Sequence, residues 1–133
     1  MAKKTHTRGQ LERELSQKTQ AFYRSHLEHR PSKVTCQLFD TKLAIIIEDS
    51  ITNAEQILFD EGKNDLAKKV RSSLGNAIEP NLRNLIEEIT KVKVLDMLSD
   101  ATLETGRTGM IVILEEAPKV RSFDNSPKNR KTE

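Results

Sequence analysis

Two short apolar runs, Leu43–Ile47 and Met110–Leu114, constrain this chain more than any other feature. Neither run alternates, and uninterrupted apolar segments of that length bounded by turn residues describe strands buried on both faces. Ahead of the first run, Val34, Cys36 and Leu38 alternate with Thr35 and Gln37, and Asp40–Thr41 supplies a tight turn, which predicts a β-hairpin. Ahead of the second lies another strand candidate, Val92–Leu98. Each hairpin is preceded by a helical period. Leu11, Leu15 and Phe22, with Tyr23 and Leu27 beside them, define a first helix from Gln10 that must stop before Pro31, because a proline pushes its predecessor out of the helical region. Leu66, Val70, Leu74, Ile78, Leu82, Leu85, Ile86 and Ile89 define a longer one, and since the stripe keeps its phase across Pro80, it predicts one bent helix rather than two. Between them Thr52 and Glu55 form a capping box that opens a short helix ending at Gly62.

The chain thus uses helix, mixed strand, apolar strand twice, an αββ unit repeated in rhythm rather than in residues. Pairing the two apolar strands at the centre gives a four-stranded antiparallel sheet in the order 1-2-4-3 with helices on one face, a two-layer α+β sandwich. The central strands are apolar on both sides. The face away from the helices should therefore carry Ala44, Ile46 and either Ile111 and Ile113 or their neighbours, and an exposed apolar sheet face predicts a homodimer.

With 133 residues the chain fits one domain, and with no Trp and 4 % aromatic residues its core must be aliphatic. The expected boundaries are a disordered basic arm over 1–9, the domain over 10–116 and a disordered basic tail over 117–133. The net charge of +2 lies in those tails, +3 in residues 1–10 and +3 in 117–133, leaving −4 for residues 11–116. An acidic centre argues against a nucleic-acid domain, which carries its basic surface on the folded part. No apolar run approaches the roughly 18 residues of a membrane span, and the start lacks the apolar stretch of a secretory signal, so the expectation is a soluble cytoplasmic protein. The single cysteine, Cys36, reads as a buried structural thiol.

The densest cluster of polar and glycine residues is Ser99–Gly109, read as a hairpin loop on a buried strand. Within it Thr102, Glu104, Thr105, Arg107 and Thr108 could present hydroxyls, backbone N–H groups and a guanidinium to a small anion or a partner. The plainer reading is a structural loop with Arg107 paired to Glu104. Phosphate-loop spacing is absent. Asp40, Asp49, Asp96 and Asp100 sit near strand ends without calcium-loop spacing, and His26 and His29 have no second cluster to complete a tetrahedral site, so no metal site and no cofactor are expected. No nucleophile, base and orienting acid fall into a recognisable set, and the expectation is a protein that is not an enzyme.

Taken in order, HLEHRPSKV, CQLFDTKLAIIIEDSIT and VKVLDMLSDATLETGRTGMIVILEE resemble the MpsC-like family, named after a component of a sodium-translocating, membrane-potential-generating system. The resemblance runs over roughly residues 10–116 and is most specific at Pro31–Val34, Asp49–Thr52 and Ser99–Thr102 through Gly109. It implies a small interaction or regulatory protein, an accessory beside a membrane transporter subunit rather than an ion conductor. It brings no catalytic residues. The alternative expectation is nucleic-acid binding through the basic tails.

Overall fold

The computed structural model describes residues 6–121 and contains three helices over one four-stranded sheet. Helix α1 (Arg8–Leu27) begins two residues ahead of Gln10, because Thr7 and Gln10 close a capping box that periodicity alone does not register. The Thr7 hydroxyl accepts from the Gln10 N–H at 3.2 Å, and the Gln10 side chain accepts from the Thr7 N–H at 2.9 Å. Of the arm and tail expected from composition, residues 1–5 and 122–133 lie outside the described residues. The described parts meet: the Arg121 N–H donates to the His6 carbonyl, and Thr7 forms a bridge with Arg121.

Strands β1 (Lys33–Phe39) and β2 (Lys42–Glu48) pair antiparallel around the two-residue turn Asp40–Thr41, with Phe39 opposite Lys42. Asp40 takes the left-handed backbone that such a turn needs and that Asp tolerates well. Thr52 and Glu55 cap α2 (Asn53–Asp60) as expected. Helix α3 (Asn64–Thr90) runs unbroken through Pro80. The second hairpin is longer than its apolar residues indicate. Strand β3 spans Val94–Thr102 and β4 spans Arg107–Leu114, so most of the segment read as a loop is paired strand.

The sheet order is β1-β2-β4-β3, all antiparallel, with Ala44 opposite Ile111 at the centre. Cys36 and Leu38, Leu43, Ile45 and Ile47, Met110, Val112 and Leu114 point to the helix side, where α1 supplies Leu15, Phe22 and Tyr23 and α3 supplies Ile78, Leu82 and Ile86. A smaller cluster of Ile51, Ala67 and Leu103 ties α2 and the start of α3 to the β3–β4 turn. The αββ–α–αββ order matches the rhythm read from the sequence.

Candidate functional site

The chemistry-bearing residues fall on three surfaces, and strand alternation decides which residue serves which. At the β3–β4 turn, Gly106 adopts φ +71°, a backbone that favours glycine, and its N–H donates to the Thr102 carbonyl at 2.8 Å. The Thr102 and Thr105 hydroxyls bond to each other. Glu104 and Thr105 are exposed in the turn, while Leu103 is buried against Ile51 and Ala67. Arg107 does not pair with Glu104: its Nε donates to Oε1 of Glu48 on β2 at 2.7 Å, an exposed ion pair. Thr108, one residue on, is buried, and its hydroxyl bonds to that of Ser50 at 2.7 Å. Of the five residues of the expected loop site, Thr102, Thr105 and Arg107 lie together at the turn, where Thr102 pairs with Arg107 and bonds to Thr105, while Thr108 emerges on the opposite face of β4.

The first surface is the sheet face turned away from the helices. Its rows follow from the register: Thr35, Ile46, Gly109 and Asp100; Gln37, Ala44, Ile111 and Leu98; Phe39, Lys42, Ile113 and Asp96. Ile111 and Ile113, left open against their neighbours in the sequence, are the β4 residues on this face. No described helix covers it, and Ile46, Leu98 and Ile111 remain 40 %, 55 % and 37 % exposed. Lys33, Glu48 and Arg107 close one end of the face, and Lys42 with Asp96 the other.

The second is a buried polar network on the helix side that sequence reasoning missed. The Glu55 side chain is fully buried, and Arg71 of α3, 11 % exposed, grips it with two bonds of 2.6 Å from Nε and Nη2. Nη2 also donates to the Ser50 carbonyl at 3.2 Å, and the Ser50 hydroxyl donates to the Gly106 carbonyl at 3.1 Å. Burial works against the Glu55 charge, yet the bonds from Arg71 and Thr52 outweigh it and hold the carboxyl below the usual range. Burial pushes the Tyr23 phenol up, against the pull of Arg71 beside it, so it stays protonated and able to donate. The signal in the sequence was Arg71 itself, which stands in the same helical stripe as Ala67, Ile78 and Leu82. A charge in an apolar stripe calls for a buried partner, but the capping role of Glu55 concealed that it was the one.

The third is a cavity of about 240 Å³ between α3 and the inner side of β3 and β4. Tyr23, Arg71 and Thr108 are its buried polar residues, Leu82, Met97 and Met110 supply apolar wall, and Ser72, Asn76 and Ser99 stand at the exposed rim.

The remaining candidates are scattered. His26 stacks on Phe22 with ring centres 4.0 Å apart and bonds to the Phe22 carbonyl, while His29 bonds to the Asp49 carbonyl at 2.6 Å. Asp40 and Asp49 occupy left-handed turn positions, and Asp96 and Asp100 lie on edge strand β3. Among the described residues no group of three or more His, Cys, Asp or Glu side chains could share a metal ion. Cys36 faces the core, and burial pushes its thiol up to about 11.

A family model described as the Na⁺-translocating membrane potential-generating system (MpsC) matches residues 7–116. The chain belongs to the MpsC family. The MpsC match begins at the α1 cap and ends just past β4, so it takes in the sheet face, the buried network and the cavity together. Neither the curated proteins nor the solved structures hold a significant match to the chain. No helix among the described residues is long and apolar enough to cross a membrane.

Proposed function

We propose that this protein is a non-enzymatic cytoplasmic accessory of a sodium-translocating membrane system, and that it works as a homodimer closed over the outer sheet face. The observation that carries the reading is the uncovered apolar face of Ile46, Ala44, Ile111, Ile113 and Leu98. A surface of that kind in water marks a docking site. A second copy fits it because the charges are self-complementary. With a two-fold axis lying in the face and along the strands, β2 of each copy lies over β4 of the other, so Ala44 meets Ile111 and Glu48 meets Arg107 of the second copy. Only Nε of Arg107 is engaged by Glu48, leaving the outer nitrogens of its fork for that second carboxylate. Four strands about 4.8 Å apart and seven residues long present a flat patch of about 450 Å². Two such patches bury about 900 Å² together, the range of weak, transient interfaces, which suits an accessory that assembles and releases.

Sedimentation equilibrium across a hundredfold concentration range tests the dimer. The wild-type chain should move from monomer to dimer, and Leu98→Asp should remain monomeric with an unchanged circular dichroism spectrum. A wild-type chain that stays monomeric throughout, or a Leu98→Asp chain that dimerises equally well, overturns it. Pull-down from native membranes at low and moderate salt tests the transport link, and recovery with no membrane partner enriched would sink it.

A further inference from the structure

The cavity beneath α3 lies on the opposite side of the sheet from the docking face, and its origin is visible in the packing. Farther along α3, Ile78, Leu82 and Ile86 enter the main core, while near its start Ala67 enters the small cluster with Ile51 and Leu103. The roughly three turns between these two anchors add no residue to either buried cluster. Arg71 is drawn aside to Glu55, Gly75 has no side chain, and Ser99 and Ala101 face it from β3.

Gly75 is the informative residue. It sits inside the helix with no left-handed backbone to demand a glycine, and a Cβ built on it would meet no atom within 4 Å. A glycine in a helix interior costs about 1 kcal/mol against alanine. Neither conformation nor crowding accounts for that cost here. What the missing side chain does is keep the cavity open.

The cavity is polar at its buried end. Nε and Nη2 of Arg71 are taken by Glu55 and the Ser50 carbonyl, and the guanidinium also donates to the Tyr23 oxygen, which leaves the Tyr23 hydroxyl as the group with a hydrogen to give at the buried end of the cavity. Charge then selects among occupants. An anion at that hydroxyl would feel the buried Glu55 carboxylate, which already acts on Tyr23, and be repelled through a medium of low dielectric. The other charged residues at the wall are acidic and engaged: Glu79 is paired with Arg83 at 3.2 Å, and the Asp100 carboxylate accepts from the Ala101 N–H at 2.8 Å. Hydrogen-bond donation without net charge favours a neutral acceptor. The volume, about 240 Å³, equals that of roughly eight waters, or a compact organic molecule of about eight to twelve heavy atoms.

We propose that this cavity binds a small uncharged molecule whose carbonyl or amide oxygen accepts from the Tyr23 hydroxyl, which Arg71 holds in place, and whose apolar body lies against Leu82, Met97 and Met110. The site is independent of the docking face, and its test reads a different property. Nitrogen-15 spectra of the full chain would be titrated with two matched pairs, benzamide against benzoate and cyclohexanecarboxamide against cyclohexanecarboxylate. The amides should shift the Arg71 Nε–H signal and the backbone signals of Ser99, Ala101 and Thr108, with affinities at least fivefold above those of the carboxylates. Gly75→Leu should abolish these shifts while raising the melting temperature, since it fills open space and removes a helix glycine; Ala101→Val, from the other wall, should weaken them at least fivefold. No shift with either amide, carboxylates binding as well as amides, or shifts that survive in Gly75→Leu would each overturn the proposal.

Discussion

Arg71→Met is the sharpest test of how the structure is held together, because it removes one partner of a buried pair and leaves the other with nowhere to go. Glu55 is completely buried and receives two 2.6 Å bonds from Arg71. Stripping one partner from such a pair costs about 3–5 kcal/mol, against a total stability of about 5–15 kcal/mol for a domain of this size. The penalty has a ceiling set by protonation. With an unfolded value near 4.3, taking up a proton costs Glu55 about 3.7 kcal/mol at pH 7 but only about 1 kcal/mol at pH 5. In the wild type the Glu55 value is lowered, so its contribution is full above the unfolded value and is lost as pH falls through the lowered folded value. In Arg71→Met the folded value is raised instead, and stability falls as pH rises from the unfolded value toward it. Urea unfolding followed by far-ultraviolet circular dichroism should therefore give a loss of about 3–5 kcal/mol at pH 7 that shrinks by about 2–3 kcal/mol at pH 5. Adding Glu55→Gln, which can still close the capping box, should flatten that pH dependence. A loss below about 1 kcal/mol at pH 7, or one equal at the two pH values, would refute the buried-charge argument.

Three further outcomes are expected. Arg107→Ala and Arg107→Lys should each change the unfolding free energy by less than about 1 kcal/mol, because the Glu48 pair is exposed, yet weaken self-association about tenfold, or roughly 1.4 kcal/mol, by sedimentation; a large stability loss would make the pair structural. Cys36, buried with its thiol pushed up to about 11, should resist Ellman's reagent in the folded chain at pH 8 and react fully in urea, and rapid stoichiometric reaction without urea would contradict the packing. Thr108→Val should cost about 1 kcal/mol and Ser50→Ala more, since Thr108→Val leaves Ser50 its bond to the Gly106 carbonyl whereas Ser50→Ala strands the buried Thr108 hydroxyl; equal costs in urea unfolding would count against the network.

The parts of the fold that were legible in the sequence are those decided by neighbours along the chain. The Asp40–Thr41 turn, the Thr52 capping box and the unbroken α3 are all specified within a few residues. The order β1-β2-β4-β3 followed because two strands apolar on both sides have to occupy the middle. The second hairpin was misjudged because β3 is an edge strand whose Leu98, Ser99 and Asp100 are exposed, so nothing in their character demanded a strand. Backbone pairing with β4 made them one. The two glycines compounded the error, since Gly106 turns the chain with φ +71° while Gly109 sits in an ordinary strand opposite Ile46 and Asp100. Arg71 and Glu55 escaped notice for the opposite reason: their partnership crosses two helices, and no local pattern encodes it.

The same physics explains why one stretch of sequence looked like one site. Along β4, Arg107, Gly109, Ile111 and Ile113 project to the outer face, while Thr108, Met110, Val112 and Leu114 project to the helix side. Residues adjacent in the chain are thereby assigned to surfaces separated by the thickness of the sheet. Arg107 thus makes its ion pair with Glu48 on the outer face, while Thr108 bonds Ser50 on the inner one. A shift of register by one residue would exchange the two sets, burying Arg107 beside Ser50 and placing Thr108 on the outer face. Burying a guanidinium there without a second Glu55 would cost several kcal/mol, which makes the Arg107–Thr108 alternation itself one of the features that pin β4 in place.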